Sequence, residues 1–185
     1  MEKYPVLRTD RLLLRGFQAT DAYEIQRLAG AFEVAEMTLN IPYPYLDGMA
    51  EEWIGTHQAG FDSGEGVVFA MIESQSGKLL GAVGLTVIKR FNRAELGYWV
   101  GKPFWGNGYA TEASAALLKY GFEELQLNKI HASHMTRNPA SGHVMQKIGM
   151  EAEGLLKQHA LKWDEFVDLA IYGILSSMWL KDHAK

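Results

Sequence analysis

Three apolar runs of strand character follow one another with no room for a helix between them. They are "VVFAMIE" (67–73), "LLGAVGLTVI" (79–88) and "AELGYWV" (94–100), separated by the turn-forming stretches "SQSG" and "FNR". A parallel strand pair needs a crossover of a dozen or more residues, so links this short impose an antiparallel meander. The third run passes at once into "KPFWGNGYATEA" (102–113), where Gly106 and Gly108 flank Asn107 ahead of good helix formers. Glycine loses much backbone entropy on folding, so two of them before a helix need a reason. One reason is a tight strand-to-helix turn. The other is a ligand lying against bare main chain, since helix starts attract phosphates. A G-x-G-x-x-G dinucleotide loop fits less well. Thr111 stands where its third glycine would fall, and such a loop opens a βαβ unit instead of following a meander.

The flanks supply the other elements. "RLLLRGF" (11–17) reads as a first strand, and Thr20 or Asp21 can cap a helix that carries Ile25 and Leu28. "NIPYPYLD" holds Pro42 and Pro44 and is expected to be extended or turning. Asp47 then opens a second helix with Met49, Trp53, Ile54 and His57 at helical spacing. A third helix runs from Tyr109 to about Gln126, with Ala113, Leu117, Tyr120 and Gly121 on one face. "KIHASHM" (129–135) is a strand. Asn138 and Pro139 start a helix whose buried face carries Val144 and Ile148 and whose stop is Gly149. Two strands near 155–161 and 166–175, joined by "KWDE", complete the order β-α-α-β-β-β-α-β-α-β-β. That order is a mixed α/β fold.

Composition narrows the function classes. A chain of 185 residues, 48% hydrophobic, is expected to be one globular domain spanning 1–185. At a net charge of −4 with no dense Lys or Arg run, neither direct nucleic-acid binding nor a membrane surface is expected. The absence of cysteine excludes disulfides, thiolate metal sites and a Cys nucleophile. His131 and His134 lie three apart in a strand and so point to opposite faces, and no metal site is expected. With neither a long apolar h-region nor 18 consecutive apolar residues, a soluble cytoplasmic protein is expected.

"ELGYWVGKPFWGNGYATEA" followed by "NPASGHVMQKIGM" resembles the GCN5-related N-acetyltransferase (GNAT) superfamily, in its Rim-type branch of ribosomal-protein N-terminal acetyltransferases. The likeness runs from "LRTDRLLLRGF" to "DLAIYGIL". It implies a mixed, mostly antiparallel central sheet flanked by helices, with a splayed strand pair for acyl-CoA. Acetyl-CoA would be the co-substrate. Its pyrophosphate would lie on Trp105, Gly106, Asn107, Gly108, Tyr109, Ala110 and Thr111, where main-chain N–H groups are free at the start of a helix. Gly108 and Ala110 fit the family signature, whereas Trp105 stands where Gln or Arg is usual. The pantetheine arm would pair with the strand edge at Tyr98, Trp99 and Val100, side chains that also suit a plain sheet strand. Asn138 would contact the cofactor chain, and it also suits a helix N-cap.

The implied reaction is acetyl transfer to a primary amine by direct attack. The acceptor would be a protein N-terminus, or a polyamine or antibiotic, and the protein a monomer or homodimer. A non-catalytic CoA sensor is the competing class. Glu95 is the candidate base, with Glu73 and Asp168 as alternatives. The family's usual Tyr acid falls on Met145, which cannot donate a proton, so Ser141 is the candidate acid. Tyr43, Tyr45 and Trp53 are expected to wall the acceptor pocket.

Overall fold

The computed structural model describes residues 4–183, so the first three and last two residues of the expected domain lie outside the described residues. The first half runs β1 (Leu7–Arg8), β2 (Leu12–Arg15), α1 (Ala22–Ala29), α2 (Phe32–Met37), α3 (Met49–Asp62), β3 (Gly66–Glu73), β4 (Leu79–Ile88) and β5 (Arg93–Val100). There follow α4 (Tyr109–Glu123), β6 (Lys129–Met135), α5 (Pro139–Lys147), β7 (Glu151–Lys162), β8 (Glu165–Leu175) and α6 (Ser176–His183).

The eight strands form one sheet in the order β1-β2-β3-β4-β5-β6-β8-β7. The meander β3-β4-β5 is antiparallel, as its short links require, and β5 with β6 is the parallel pair. Strand alternation divides the apolar side chains between two layers. Leu12, Leu14, Phe69, Met71, Leu85 and Ile130 pack under Leu117 and Leu118 of α4. Ala70, Ile72 and Leu79 face Ile25 and Leu28 of α1 and Ala50 of α3. Gly121 lets α4 lie close to the sheet, because a Cβ there would stand 2.6 Å from Ile130 Cδ1. Among the described residues no helix is long and apolar enough to cross a membrane.

Several expectations need correction. β1, α2 and α6 were not anticipated. The first strand is only Leu12–Arg15, and α4 stops at Glu123. Asp21 does not cap α1 through its side chain. Its carboxylate instead accepts from the Gln18 N–H and pairs with Arg15 at 2.7 Å. α3 starts after Gly48, in left-handed conformation, and Asp47 accepts from Gln26 Nε2. In α5 the buried residues are Gly142 and Met145, with Val144 and Ile148 half-buried. β7 begins at Glu151 and turns into β8 through Trp163 and Asp164, both at positive φ, a two-residue hairpin.

Candidate active site

β5 and β6 share a ladder only at Arg93–Lys129, Ala94–Ile130 and Glu95–His131. Beyond Glu95 the two strands diverge. Gly101 N–H donates to Leu80 O at 2.8 Å, so antiparallel alternation turns the main-chain groups of Trp99, Gly97 and Glu95 toward β4. The N–H and C=O groups of Leu96, Tyr98 and Val100 therefore point to the other edge, into the opening. A cleft of about 1180 Å³ passes through this gap. Its walls include Gly106, Gly108, Asn138 and Ser141 on the α4 and α5 side and Leu39, Tyr45 and Trp53 on the other.

The loop before α4 is shaped by its own backbone. Gly106 and Gly108 have φ of +78° and +79°, a region that L side chains seldom adopt, so the turn alone accounts for both glycines. Nothing lies within 4 Å of where a Gly106 Cβ would stand, and only Arg11 Nη2, at 3.6 Å, approaches that of Gly108. The space in front of the loop is thus open. The first bond inside α4 runs from Glu112 N–H to Gly108 O, which leaves the N–H groups of Tyr109, Ala110 and Thr111 without a partner in the helix. They sit at the positive end of its dipole. These features fit a pyrophosphate.

Side chains hold the loop in place. The Trp105 indole N–H donates to Val100 O at 2.6 Å, tying the loop to the end of β5. Asn107 Nδ2 donates to Phe104 O and Trp105 O, both at 3.1 Å. Arg11 donates to Asn107 O, pairs with Glu112 at 2.7 Å and lies 4.7 Å from the centre of the Tyr109 ring. The Tyr109 hydroxyl turns away to Glu73 at 2.5 Å.

Across the opening, Asn138 caps α5, its Oδ1 accepting from Ser141 N–H at 3.3 Å while its Nδ2 donates to Met37 O at 2.9 Å. The Tyr98 hydroxyl lies 2.9 Å from both Ser141 O and Ser141 Oγ. Burial pushes the Tyr98 phenol up to about 12, against the pull of the Ser141 hydrogen bond. Met145 is buried in the core. Glu95 is exposed on the cleft wall, 3.4 Å from Ser133 Oγ. The alternative bases stand elsewhere. Ser76 and Tyr109 occupy Glu73 and hold its carboxyl below the usual range, and Lys157 and the Gln158 N–H do the same to Asp168.

Tyr45 and Trp53 line the cleft, joined by Met49, Glu52 and Thr56. Trp99 lines it too, its ring lying in the α1 and α3 layer. Tyr43 turns outward, 49% exposed, with its ring 5.3 Å from Phe32 and 5.9 Å from Trp163. Among the described residues no group of three or more His, Asp or Glu could hold a metal ion. His134 packs under Gly142 and against Tyr172. Sequence reasoning treated Tyr98 as a main-chain contact and missed its hydroxyl. The signal was there, since a tyrosine between Leu96 and Val100 on a core face needs a partner for its O–H. Glu52, on the cleft wall, was also missed.

The model of the acetyltransferase (GNAT) domain family matches residues 11–151. The chain belongs to the GNAT acetyltransferases. An uncharacterized N-acetyltransferase, p20 of Bacillus licheniformis, is 30% identical to it over 91% of this chain and 95% of its own. The [ribosomal protein uS5]-alanine N-acetyltransferase of Escherichia coli is 25% identical over 94% and 92%. Among solved structures, spermidine N-acetyltransferase from Vibrio cholerae in complex with CoA and spermine superposes with a TM-score of 0.79 at 23% identity, over 93% and 99%. This acetyltransferase therefore has the family's mixed, mostly antiparallel sheet.

Proposed function

We propose that this GNAT enzyme, one domain over 1–185, moves an acetyl group from acetyl-CoA to a protein N-terminal α-amine in a ternary complex. The observation that carries the reading is the gap between β5 and β6. It joins an open helix N-terminus on one face of the sheet to a half-apolar pocket on the other. Acetyl-CoA supplies the thioester. Tyr109, Ala110 and Thr111 offer N–H groups to its pyrophosphate, and Tyr98 and Val100 offer main-chain edge to its arm. Glu95 takes the proton that the amine must lose before its lone pair can attack. An α-amine needs only a modest base, its pKa being about 7.7–8.0 against about 10.4 for lysine. The Val100 N–H faces the charge that develops on the carbonyl oxygen. As the carbon–sulfur bond breaks, Ser141 passes a proton to the thiolate and takes in its place the second proton that the acetylated nitrogen sheds.

Similarity to the uS5-alanine enzyme over 94% of this chain and 92% of its own supports the α-amine. Such an acceptor would place the enzyme in the cytoplasm. A second reading, a polyamine acceptor, is favoured by the two carboxylates on the cleft wall, Glu52 and Glu95. Thiol release measured with alanine-first peptides, spermidine and an aminoglycoside separates the readings. The α-amine reading predicts the highest kcat/KM on a peptide, and a clear preference for spermidine overturns it. Tight CoA binding without turnover on any of them would make the protein a sensor.

A further inference from the structure

Lys162 ends β7, and only 4% of it is exposed. Its Nζ donates to Ile41 O at 2.9 Å and to Leu39 O at 3.3 Å, and it lies 4.6 Å from the centre of the Trp163 ring. Among the described residues no carboxylate pairs with it. Burial, and then the charge of Arg137, push its ammonium below the usual lysine range. A buried cation without a counter-ion is costly. Its partners are two carbonyls and an aromatic face, which supplies a cation–π contact in place of an anion.

Those carbonyls belong to the segment between α2 and α3, which has no ladder of its own. Leu39, Asn40, Ile41 and Pro42 line the cleft. The end of α2 that leads into this segment is gripped twice more. Arg137 Nη2 donates to Glu36 O at 3.4 Å and Asn138 Nδ2 to Met37 O at 2.9 Å. The carbonyls of residues 36, 37, 39 and 41 thus all accept from side chains more than a hundred residues later in the chain. Leu39 also packs against Met135, Val167 and Leu169. The wall of the pocket is therefore set from outside, by the β7–β8 hairpin and the start of α5.

We propose that Lys162 is a positioning residue for the acceptor: it fixes the main chain of residues 39–41 and so sets the shape of the acceptor half of the cleft. The inference rests on the reading that this half receives the amine. Lys162 touches neither the donor loop nor the reacting atoms. Its effect should fall on one substrate only, which a strut for the whole fold would not do.

Lys162→Met keeps the apolar stem and removes the charge. Amide hydrogen exchange of the free enzyme should speed up in residues 38–46 and stay unchanged in β3 and β4. With an alanine-first hexapeptide and with spermidine as probes, the acceptor KM should rise roughly tenfold or more, as loss of a charged hydrogen bond would give. The KM for acetyl-CoA should stay within about twofold. Lys162→Arg keeps the charge and should recover part of the loss. Should Lys162→Met not fold, Trp163→Leu removes only the ring and should move the same two quantities less far. Unchanged exchange in residues 38–46, an unmoved acceptor KM, or both KM values rising together would each overturn the proposal. Wild-type enzyme inert on both probes would instead sink the acceptor reading and take this inference with it. Turnover by wild type with an indifferent variant sinks this inference alone.

Discussion

The Tyr98 phenol has one proton and two acceptors at equal distance on the same serine. If it donates to Ser141 O, the Ser141 proton is drawn to the phenol oxygen. If it donates to Ser141 Oγ, the serine proton is free for a leaving thiolate. Tyr98→Phe should then slow thiolate departure nearly as much as Ser141→Ala, and a donor with a more acidic thiol should partly rescue both. Equal impairment with both donors would reduce the pair to packing. A phenol raised to about 12 stays neutral through the working range, so an alkaline limb in the rate profile should not belong to Tyr98. Glu95 is tested by Glu95→Gln. Loss of a positioned base should cost about 10²–10⁴-fold in kcat, while CoA affinity stays as it was. A two- or threefold loss means a solvated carboxylate. His57 gives a prediction on stability. It is buried between Phe17 and Trp53, neither ring nitrogen has a partner, and burial lowers its pKa from 6.5 to about 4. The unfolded chain therefore takes up a proton near pH 6.5 that the folded state refuses until about pH 4. The stabilisation of the neutral ring is complete above that window and drains away as pH falls through it, by up to about 1.4 kcal/mol per pH unit. His57→Phe should flatten this slope in urea melts taken from pH 7 to pH 4, and an unchanged slope counts against it.

At the scale of elements, the meander and the loop after it could be read from the chain because their constraints are local. Short links force antiparallel pairing, and "GNG" ahead of helix formers forces a turn. What could not be read was whatever depends on distant partners. α2 has six residues and no side-chain cap, β1 has only two residues, and α6 follows β8 with no break to announce it. The candidate site divides the same way. Asn138 reads as an N-cap from its own neighbours, yet its grip on Met37 O, like that of Lys162 on residues 39 and 41, spans too much sequence for any pattern to reveal. Tyr43 fails for the opposite reason, since alternation in a proline-rich segment does not say which side faces in. The loop makes its own prediction. Trp105→Phe keeps one aromatic ring and removes the donor to Val100 O, so acetyl-CoA should bind roughly fivefold more weakly, about 1 kcal/mol, with the melting temperature little changed. Calorimetry checks it. Affinity equal to wild type would mean that the indole N–H is dispensable. Gly108→Val is a poorer probe, because φ near +79° burdens any branched residue with strain before a ligand is considered.

At the scale of the whole molecule, on the proposed reading, donor and acceptor approach from opposite faces of one sheet and meet where β5 leaves β6. Initial rates should therefore give intersecting double-reciprocal lines. CoA should compete with acetyl-CoA and not with the acceptor. Parallel lines would mean that the acetyl group rests on the protein between two half-reactions, which this fold offers no cysteine to accept. The arrangement has a further consequence, for water. On the proposed reading, a donor that fills its side of the gap would leave the thioester facing the pocket walled by residues 39–42, Tyr45 and Trp53. The acceptor would then also be the stopper. An amine-free mimic that fills the pocket should suppress the slow hydrolysis of acetyl-CoA, and loosening that wall should make the enzyme leak.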